Sequence, residues 1–168
     1  MATLKILIFP DPRLRTVAEP IKEVDNSIAK LAEDMFETMY EGDGIGLAAT
    51  QVDIHKRIIV IDISNEKNAP LVLINPKIKR IISNEKKSYS EGCLSVPGIY
   101  EELERPSAVE INALGLDGKE FTLVAEDLLS VVIQHEMDHL DGKMMVDFLT
   151  NLKREMIRKK MVKHKAAQ

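Results

Sequence analysis

Residues Gln134 to Leu140 read QHEMDHL, in which two histidines flank a glutamate in the pattern H-E-x-x-H. On an α-helix, residues four apart are offset by only about 40° around the axis, so His135 and His139 can share one metal ion. Glu136 lies beside that face, from where its carboxylate could transfer a proton without binding the metal. The pattern is typical of metal-dependent hydrolases.

A catalytic metal usually takes three protein ligands and keeps one open position, so a third ligand must lie elsewhere. Met145 stands where the extended zincin pattern H-E-x-x-H-x-x-G-x-x-H has its third histidine, but a thioether is a soft ligand suited to Cu(I). Glu155 lies in a basic terminal segment, with little chain left to bring it back. The third candidate is Cys93 in SEGCLSVPG, whose polar and small neighbours are unlike those of a buried core cysteine.

The segment DGIGLAATQ contains the spacing G-x-G-x-x-A at Gly44, Gly46 and Ala49, which is similar to a dinucleotide-binding fingerprint. That fingerprint follows a strand, whereas here a helix is predicted to precede the glycines. The sequence therefore favours a glycine-rich loop that approaches a substrate closely, with Gln51 as a polar group beside it.

The residues leave several function classes open. A hydrolase with Cys93 as the third ligand is one, and a zincin-type metallopeptidase that cleaves internal peptide bonds is another. A non-catalytic protein with a structural metal would need a fourth protein ligand, and the nearest spare histidine is His55, in a polar loop. The two histidines of the pattern could also lie on the surface without binding a metal.

Helices are predicted to carry or precede the segments QHEMDHL and DGIGLAATQ. Ser27–Tyr40 carries apolar residues at helical spacing, a second helix is predicted from about Asp127 to Asp141, and a final helix from about Asn151 to Lys163. The β-branched runs predict strands at Arg57–Ile63, Leu71–Ile74, Lys77–Ile82, Val109–Leu114 and Glu120–Val124, the last two joined by a hairpin turn at Asp117–Gly118. Without a βαβ rhythm, this order predicts an α+β fold, with mixed antiparallel sheets packed around a central helix that carries the H-E-x-x-H pattern.

Length and composition restrict the class of protein. A chain of 168 residues, with 45% apolar and 30% charged residues, is typical of one globular domain. No apolar run is long enough to cross a bilayer, and the N-terminus MATLKILIFPDPRLR has no signal-peptide cleavage pattern. With a single cysteine the chain cannot form an intramolecular disulfide. We therefore expect a cytoplasmic monomer that does not bind membranes.

The C-terminal segment differs from the rest in charge. Residues 153–165 hold seven Lys or Arg and one Glu, a net charge of +6. Since the whole chain has a net charge of −4, the other residues together carry −10. Apolar residues recur there at helical spacing and should pack on the body: Leu152, Met156, Ile157 and Met161. We expect residues 1–150 to form the catalytic domain and 151–168 to be its basic C-terminal helix, which either has its own partner or is simply solvated.

Taken together, GIGLAATQ, EGCLS and QHEMDHL resemble, in order and spacing, the three signature motifs of the peptide deformylases. The resemblance extends to FPDPRLR, VPGIYEELERP and DGKEFTL and ends near Thr150. It implies an enzyme that removes the formyl group from the initiator methionine of new bacterial and organellar proteins and releases formate. Residue by residue, it implies three metal ligands, an acid–base residue and two oxyanion donors: Cys93, His135 and His139; Glu136; the Gln51 side chain and the backbone N–H of Leu94.

The resemblance also implies a cofactor and partners. Family members use one divalent metal, Fe(II) in the cell, and also work with Ni, Co or, less well, Zn. Similar bacterial enzymes carry a C-terminal helix that docks on the ribosome, near the exit of the nascent chain. The family varies at the position of Tyr100, which leaves contacts to the distal part of the peptide open.

The predicted helix and loops suggest a substrate site. Leu128 lies seven residues before His135, and Val131 and Val132 lie one turn before the two histidines, so they would form an apolar wall for the methionine side chain. The backbones of Ile45, Gly46 and Gly92 are expected to pair with an extended peptide, as a strand edge does.

Overall fold

The protein is described from a computed structural model, which covers residues 2–167. Its helices are α1 (Asn26–Glu41), α2 (Asp127–Leu140) and α3 (Asn151–Ala166). Its strands are β1 (Gly46–Ala48), β2 (Ile58–Ile61), β3 (Leu71–Cys93), β4 (Val96–Leu114) and β5 (Glu120–Glu126). Short 3-10 turns lie at Pro12–Arg15, Ala49–Val52 and Met145–Phe148.

The strands form one antiparallel sheet in the order β1-β2-β3-β4-β5, and the α+β class predicted from the sequence is confirmed. The prediction of more than one sheet was wrong. The two strands predicted at Leu71–Ile74 and Lys77–Ile82 are parts of the 23-residue β3. Five register shifts along the β3–β4 pair break the alternation of side chains, so no continuous period of two marks these strands in the sequence.

Helix α2 lies at the centre of the fold. Its apolar residues Val132, Ile133 and Leu140 belong to one buried cluster with side chains from all five strands. Helix α1 covers a second cluster and is capped at its start by Asp25, whose carboxylate accepts hydrogen bonds from the backbone N–H groups of Ser27 and Ile28. The central position of α2 buries His135, Glu136 and His139 of the H-E-x-x-H pattern.

Helix α3 packs on the body through a narrower face than the sequence predicted. Ile157 and Met161 are buried in a third cluster, with Phe9 of the N-terminal segment, whereas Leu152 and Met156 are exposed. The prediction that all four apolar residues pack inward was therefore wrong for two of them, because only one side of α3 faces the domain. Thr150 caps the start of the helix, where its hydroxyl accepts a hydrogen bond from the backbone N–H of Lys153.

In the described part of the chain, none of the helices has the length and apolar content needed to span a membrane.

Candidate active site

Three side chains that can bind a metal meet between α2 and the end of β3. One ligand atom from each of Cys93, His135 and His139 lies within 4.8 Å of the others, and Cys93 Sγ is 3.3 Å from His139 Nε2. The two histidines are one turn apart on α2, as the i, i+4 spacing predicts. Cys93 is placed by the two-residue turn Leu94–Ser95, which joins β3 to β4.

The donor set fits a catalytic metal. One thiolate sulfur and two imidazole nitrogens suit Zn and Fe(II), and three protein ligands leave a position open for chemistry. Within residues 2–167, no other group of three His, Cys, Asp or Glu residues is close enough to hold an ion. The other candidates lie elsewhere: Met145 in the hydrophobic core, Glu155 paired with Arg158, and His55 beside Asp53.

His135 is hydrogen-bonded to a network of charged side chains formed by Glu91, Arg105 and Asp138. Glu91 accepts a hydrogen bond from His135 Nδ1 at 2.9 Å and two from Arg105, at 2.7 and 3.1 Å. Arg105 also donates to Asp138 at 2.9 Å. Glu91, Arg105 and Asp138 were not predicted as site residues, because tertiary contacts between residues 14 to 44 positions apart leave no spacing signal in the sequence.

The buried surroundings of the site shift the pKa values of Glu91, His135, Glu136 and His139. Burial raises the pKa of Glu136 to about 7, so this carboxyl can both accept and release a proton near neutrality. Burial favours neutral His135, but the charges of Glu136 and Cys93 and the hydrogen bond to Glu91 together raise its pKa. Burial and the charge of His135 lower the pKa of His139, which favours its neutral form. Burial opposes ionisation of Glu91, yet its bonds to His135 and Arg105 keep its pKa below the ordinary value.

Gln51 is fixed by hydrogen bonds at both ends of its amide. Oε1 accepts from the backbone N–H of Ala48 at 2.9 Å, which assigns Nε2 as the end that faces the site. Nε2 donates to Ser95 Oγ at 3.0 Å and lies 3.5 Å from Cys93 Sγ. An amide N–H is therefore held beside the ligand set, as the prediction for an oxyanion donor requires.

A cavity of about 380 Å³ opens onto this cluster. Every residue predicted for the site lines it except His139, which is fully buried. Along one wall are the apolar residues predicted for a methionine side chain: Leu128, Val131 and Val132. The carboxylate oxygen Glu136 Oε1 is buried and has no hydrogen-bond partner in the described part of the chain.

The glycines of the cavity allow close approach. A Cβ on Gly46 would come within 2.5 Å of Glu136 Oε2, and one on Gly92 would come as close to the Tyr100 ring. Gly46 is on the edge strand β1, where it pairs with Ile61. Since hydrogen-bonding direction alternates along an antiparallel strand, Gly46 directs its N–H and C=O away from β2, towards the open edge. The carbonyl of Ile45, by contrast, already accepts from the Asp62 N–H.

The segment with G-x-G-x-x-A spacing follows α1 and forms β1 and then a 3-10 turn, rather than the strand, loop and helix of a dinucleotide site. Gly44 accommodates the Leu94 side chain, which would lie 2.8 Å from a Cβ there. Gly44, Ile45, Gly46 and Gln51 of this segment line the cavity.

Known proteins are similar over nearly the whole chain. The model of the polypeptide deformylase family matches residues 3–155. Peptide deformylase 1 of Pseudomonas syringae pv. tomato is 58% identical, and the peptide deformylase of Azotobacter vinelandii is 60% identical. Each match covers 97% of this chain and 96% of the relative.

The crystal structure of a peptide deformylase from Legionella pneumophila has a TM-score of 0.93 and 46% identity, over 99% of this chain and 98% of that one. The family match, the close relatives and the shared fold agree with the resemblance of the three motifs. The chain belongs to the peptide deformylase family, the enzymes that remove the formyl group from an N-terminal formylmethionine.

Proposed function

We propose that the protein is a metal-dependent amide hydrolase that removes the N-formyl group from the formylmethionine of newly synthesised polypeptides and releases formate. The observation that carries this proposal is that Cys93, His135 and His139 meet beside a cavity that Glu136 and Gln51 also line. We propose that these three residues bind one divalent metal, Fe(II) in the cell, and that Zn, Ni or Co can replace it.

A divalent ion held there would supply Lewis acidity, which polarises a carbonyl and makes water a stronger nucleophile. Glu136 would accept the proton of the attacking water and then deliver it to the amine that leaves. Gln51 Nε2 and the backbone N–H of Leu94 would donate hydrogen bonds to the oxyanion that develops on the formyl oxygen. The products are formate and a peptide with a free amino terminus.

The cavity supports methionine as the residue that carries the formyl group. Leu128, Val131 and Val132 provide an apolar wall on α2, close to His135 and Glu136. An unbranched thioether side chain would bury its apolar surface there. The free edge at Gly46 would pair with the backbone of an extended peptide. We propose that the enzyme is monomeric and acts in the cytosol, where formylated chains are made.

A zincin-type metallopeptidase is not favoured. Its third ligand would follow the H-E-x-x-H helix, but Met145 is packed in the core and Cys93 lies in the ligand cluster instead. A comparison of formyl-Met-Ala-Ser with Met-Ala-Ser, followed by mass spectrometry, distinguishes the two activities. We expect loss of the formyl group from the first peptide and no cleavage of either backbone. Cleavage of an internal peptide bond would contradict the proposal.

Replacing Gln51 by leucine is expected to lower kcat by about 10²- to 10³-fold, the usual effect of losing one oxyanion donor. The isosteric Gln51→Glu replaces the Nε2 donor with an acceptor, so it should lose at least as much. Steady-state kinetics on a formyl-Met peptide checks both variants. An unchanged kcat with a raised KM would make Gln51 a ground-state binding residue instead.

We propose that α3 binds the ribosome through its basic surface. Lys159, Lys160 and Lys163 are exposed, and ribosomal RNA offers a dense array of phosphates to such a surface. Docking there would raise the local concentration of formylated N-termini. Removing residues 153–168 would also remove buried Ile157 and Met161, so neutralising the lysines tests the proposal without opening the core.

The triple variant Lys159→Gln/Lys160→Gln/Lys163→Gln is expected to co-sediment with ribosomes much less than the wild type at low salt. Its turnover of a short formyl-Met peptide should stay within about twofold, because none of the three lysines lines the cavity. A matched control neutralises three exposed lysines of β3: Lys77, Lys79 and Lys86. Equal ribosome binding by the α3 variant and the wild type would contradict the proposal.

A further inference from the structure

The two histidines of the ligand cluster differ in what holds their imidazole rings. Nδ1 of His135 is bonded to the Glu91 carboxylate at 2.9 Å. Nδ1 of His139 is buried but has no hydrogen-bond partner among residues 2–167. Of these two histidines, His135 is therefore the one whose ring orientation and tautomer are set by a hydrogen bond at Nδ1, which leaves Nε2 for a metal.

Arg105 fixes the orientation of the Glu91 carboxylate, which in turn is hydrogen-bonded to His135. Its Nε and one terminal nitrogen reach both oxygens of Glu91, at 2.7 and 3.1 Å, so the carboxylate cannot rotate without breaking one of the two bonds. Arg105 and Glu91 are both only 6% exposed. In such surroundings an ion pair is weakly screened, and the planar guanidinium fixes direction as well as charge.

Arg105 is itself held from two further sides. Its other terminal nitrogen donates to Asp138 at 2.9 Å, and Asp138 lies on α2 between His135 and His139. The guanidinium carbon lies 5.1 Å from the centre of the Phe148 ring, in cation–π contact. The Arg105 side chain thus connects β3, α2 and the turn before α3.

We infer that Arg105 is a positioning residue for the metal site, acting through Glu91 to fix the ring of His135. The inference rests on the proposed metal binding by Cys93, His135 and His139. With Nδ1 held as a donor to Glu91, the lone pair of His135 is placed on Nε2, where it can bind the ion. Without Arg105, Glu91 would be a buried carboxylate free to turn, and the ring would lose its fixed orientation.

Binding of Co(II) to metal-free protein under anaerobic conditions tests this inference without measuring activity. The visible d–d bands report ligand geometry, and a sulfur-to-metal band reports the Cys93 ligand. Arg105→Met is expected to weaken Co(II) binding by about 10- to 100-fold, the usual effect of losing an outer partner of a metal ligand, and to change the d–d bands. The matched control is Arg80→Met, which breaks an exposed pair with Glu110 and should leave both unchanged.

The outcomes distinguish failure of the proposed metal site from failure of the role inferred for Arg105. A wild type that binds Co(II) without a sulfur band would overturn the proposed metal site and this inference with it. A normal wild type together with a folded Arg105→Met variant of unchanged affinity and spectrum would overturn the inference alone. If Arg105→Met does not fold, Arg105→Lys decides: an ammonium cannot make the two parallel bonds, so weaker binding supports the inference and wild-type binding overturns it.

A double-mutant cycle tests whether Arg105 acts through Glu91. In a Glu91→Gln background, Arg105 has no carboxylate left to orient at that position. The further change Arg105→Met should then alter the Co(II) affinity by less than it does in the wild type. Fully additive effects of the two substitutions on the affinity would overturn this route of action.

Discussion

Replacing Glu136 by alanine is expected to lower kcat on a formyl-Met peptide by about 10²- to 10⁴-fold, the range that one acid–base group supplies. The carboxylate lies against Gly46, and one of its oxygens is buried with no hydrogen-bond partner among the described residues, so it is placed to exchange a proton with a substrate rather than to support the fold. Because Glu136 is outside the cluster of three proposed ligands, the variant should keep its metal. Single-turnover kinetics and elemental analysis of the same sample check both expectations.

The matched control for this variant is Glu126→Ala. Glu126 precedes the first turn of α2, is exposed, and makes no capping hydrogen bond with its side chain. We expect nearly full activity from it. Loss of metal together with activity in Glu136→Ala would mean that Glu136 is a ligand, and retention of full activity would remove it from the chemistry.

Replacing Cys93 by serine is expected to abolish stable Fe(II) binding and to lower activity at least as much as the loss of Glu136. The Cys93 sulfur belongs to the proposed ligand set and lies 3.3 Å from Nε2 of His139, whereas a serine hydroxyl is a poor ligand at neutral pH. Oxidants should inactivate the wild type, with the thiolate or the iron as their target. Iron content after anaerobic purification measures the effect directly.

Ser88→Ala is the control for that variant, because Ser88 is exposed on the same strand and outside the cavity. Its iron content and activity should match those of the wild type. Full metal content and activity in Cys93→Ser would remove Cys93 from the site and favour a ligand from the zincin pattern instead.

The parts of the site that depend on local geometry could be predicted from the sequence. The spacing of His135 and His139 acts within one helix, so the shared face on α2 follows from helical periodicity. The close approach of the glycine-rich loop to a substrate stays a prediction, and within the protein it is the Glu136 carboxylate that lies close to Gly46. Cys93 was expected beside the histidines from its small and polar neighbours and then from the resemblance of the motifs, and the structure brings the three together.

The parts that depend on long-range packing could not be predicted. The clamp of Glu91, Arg105 and Asp138 joins two strands and a helix, and none of these residues stands at a spacing that marks a partner. The second half of β3 was missed because polar residues and register shifts hide its pattern, while its hydrogen bonds come from the backbone of β4. The exposure of Leu152 and Met156 likewise depends on how α3 docks, which its periodicity does not specify.

The most direct test of the account is an anaerobic titration of metal-free protein with Fe(II), with formate release from formyl-Met-Ala-Ser measured at each step. If Cys93, His135 and His139 hold the one catalytic ion, formate release should rise in proportion to added iron and level off at about one equivalent per chain. A chelator should abolish the activity, and renewed Fe(II) should restore it. Full formate release by the metal-free protein, or none at full iron loading, would contradict the account.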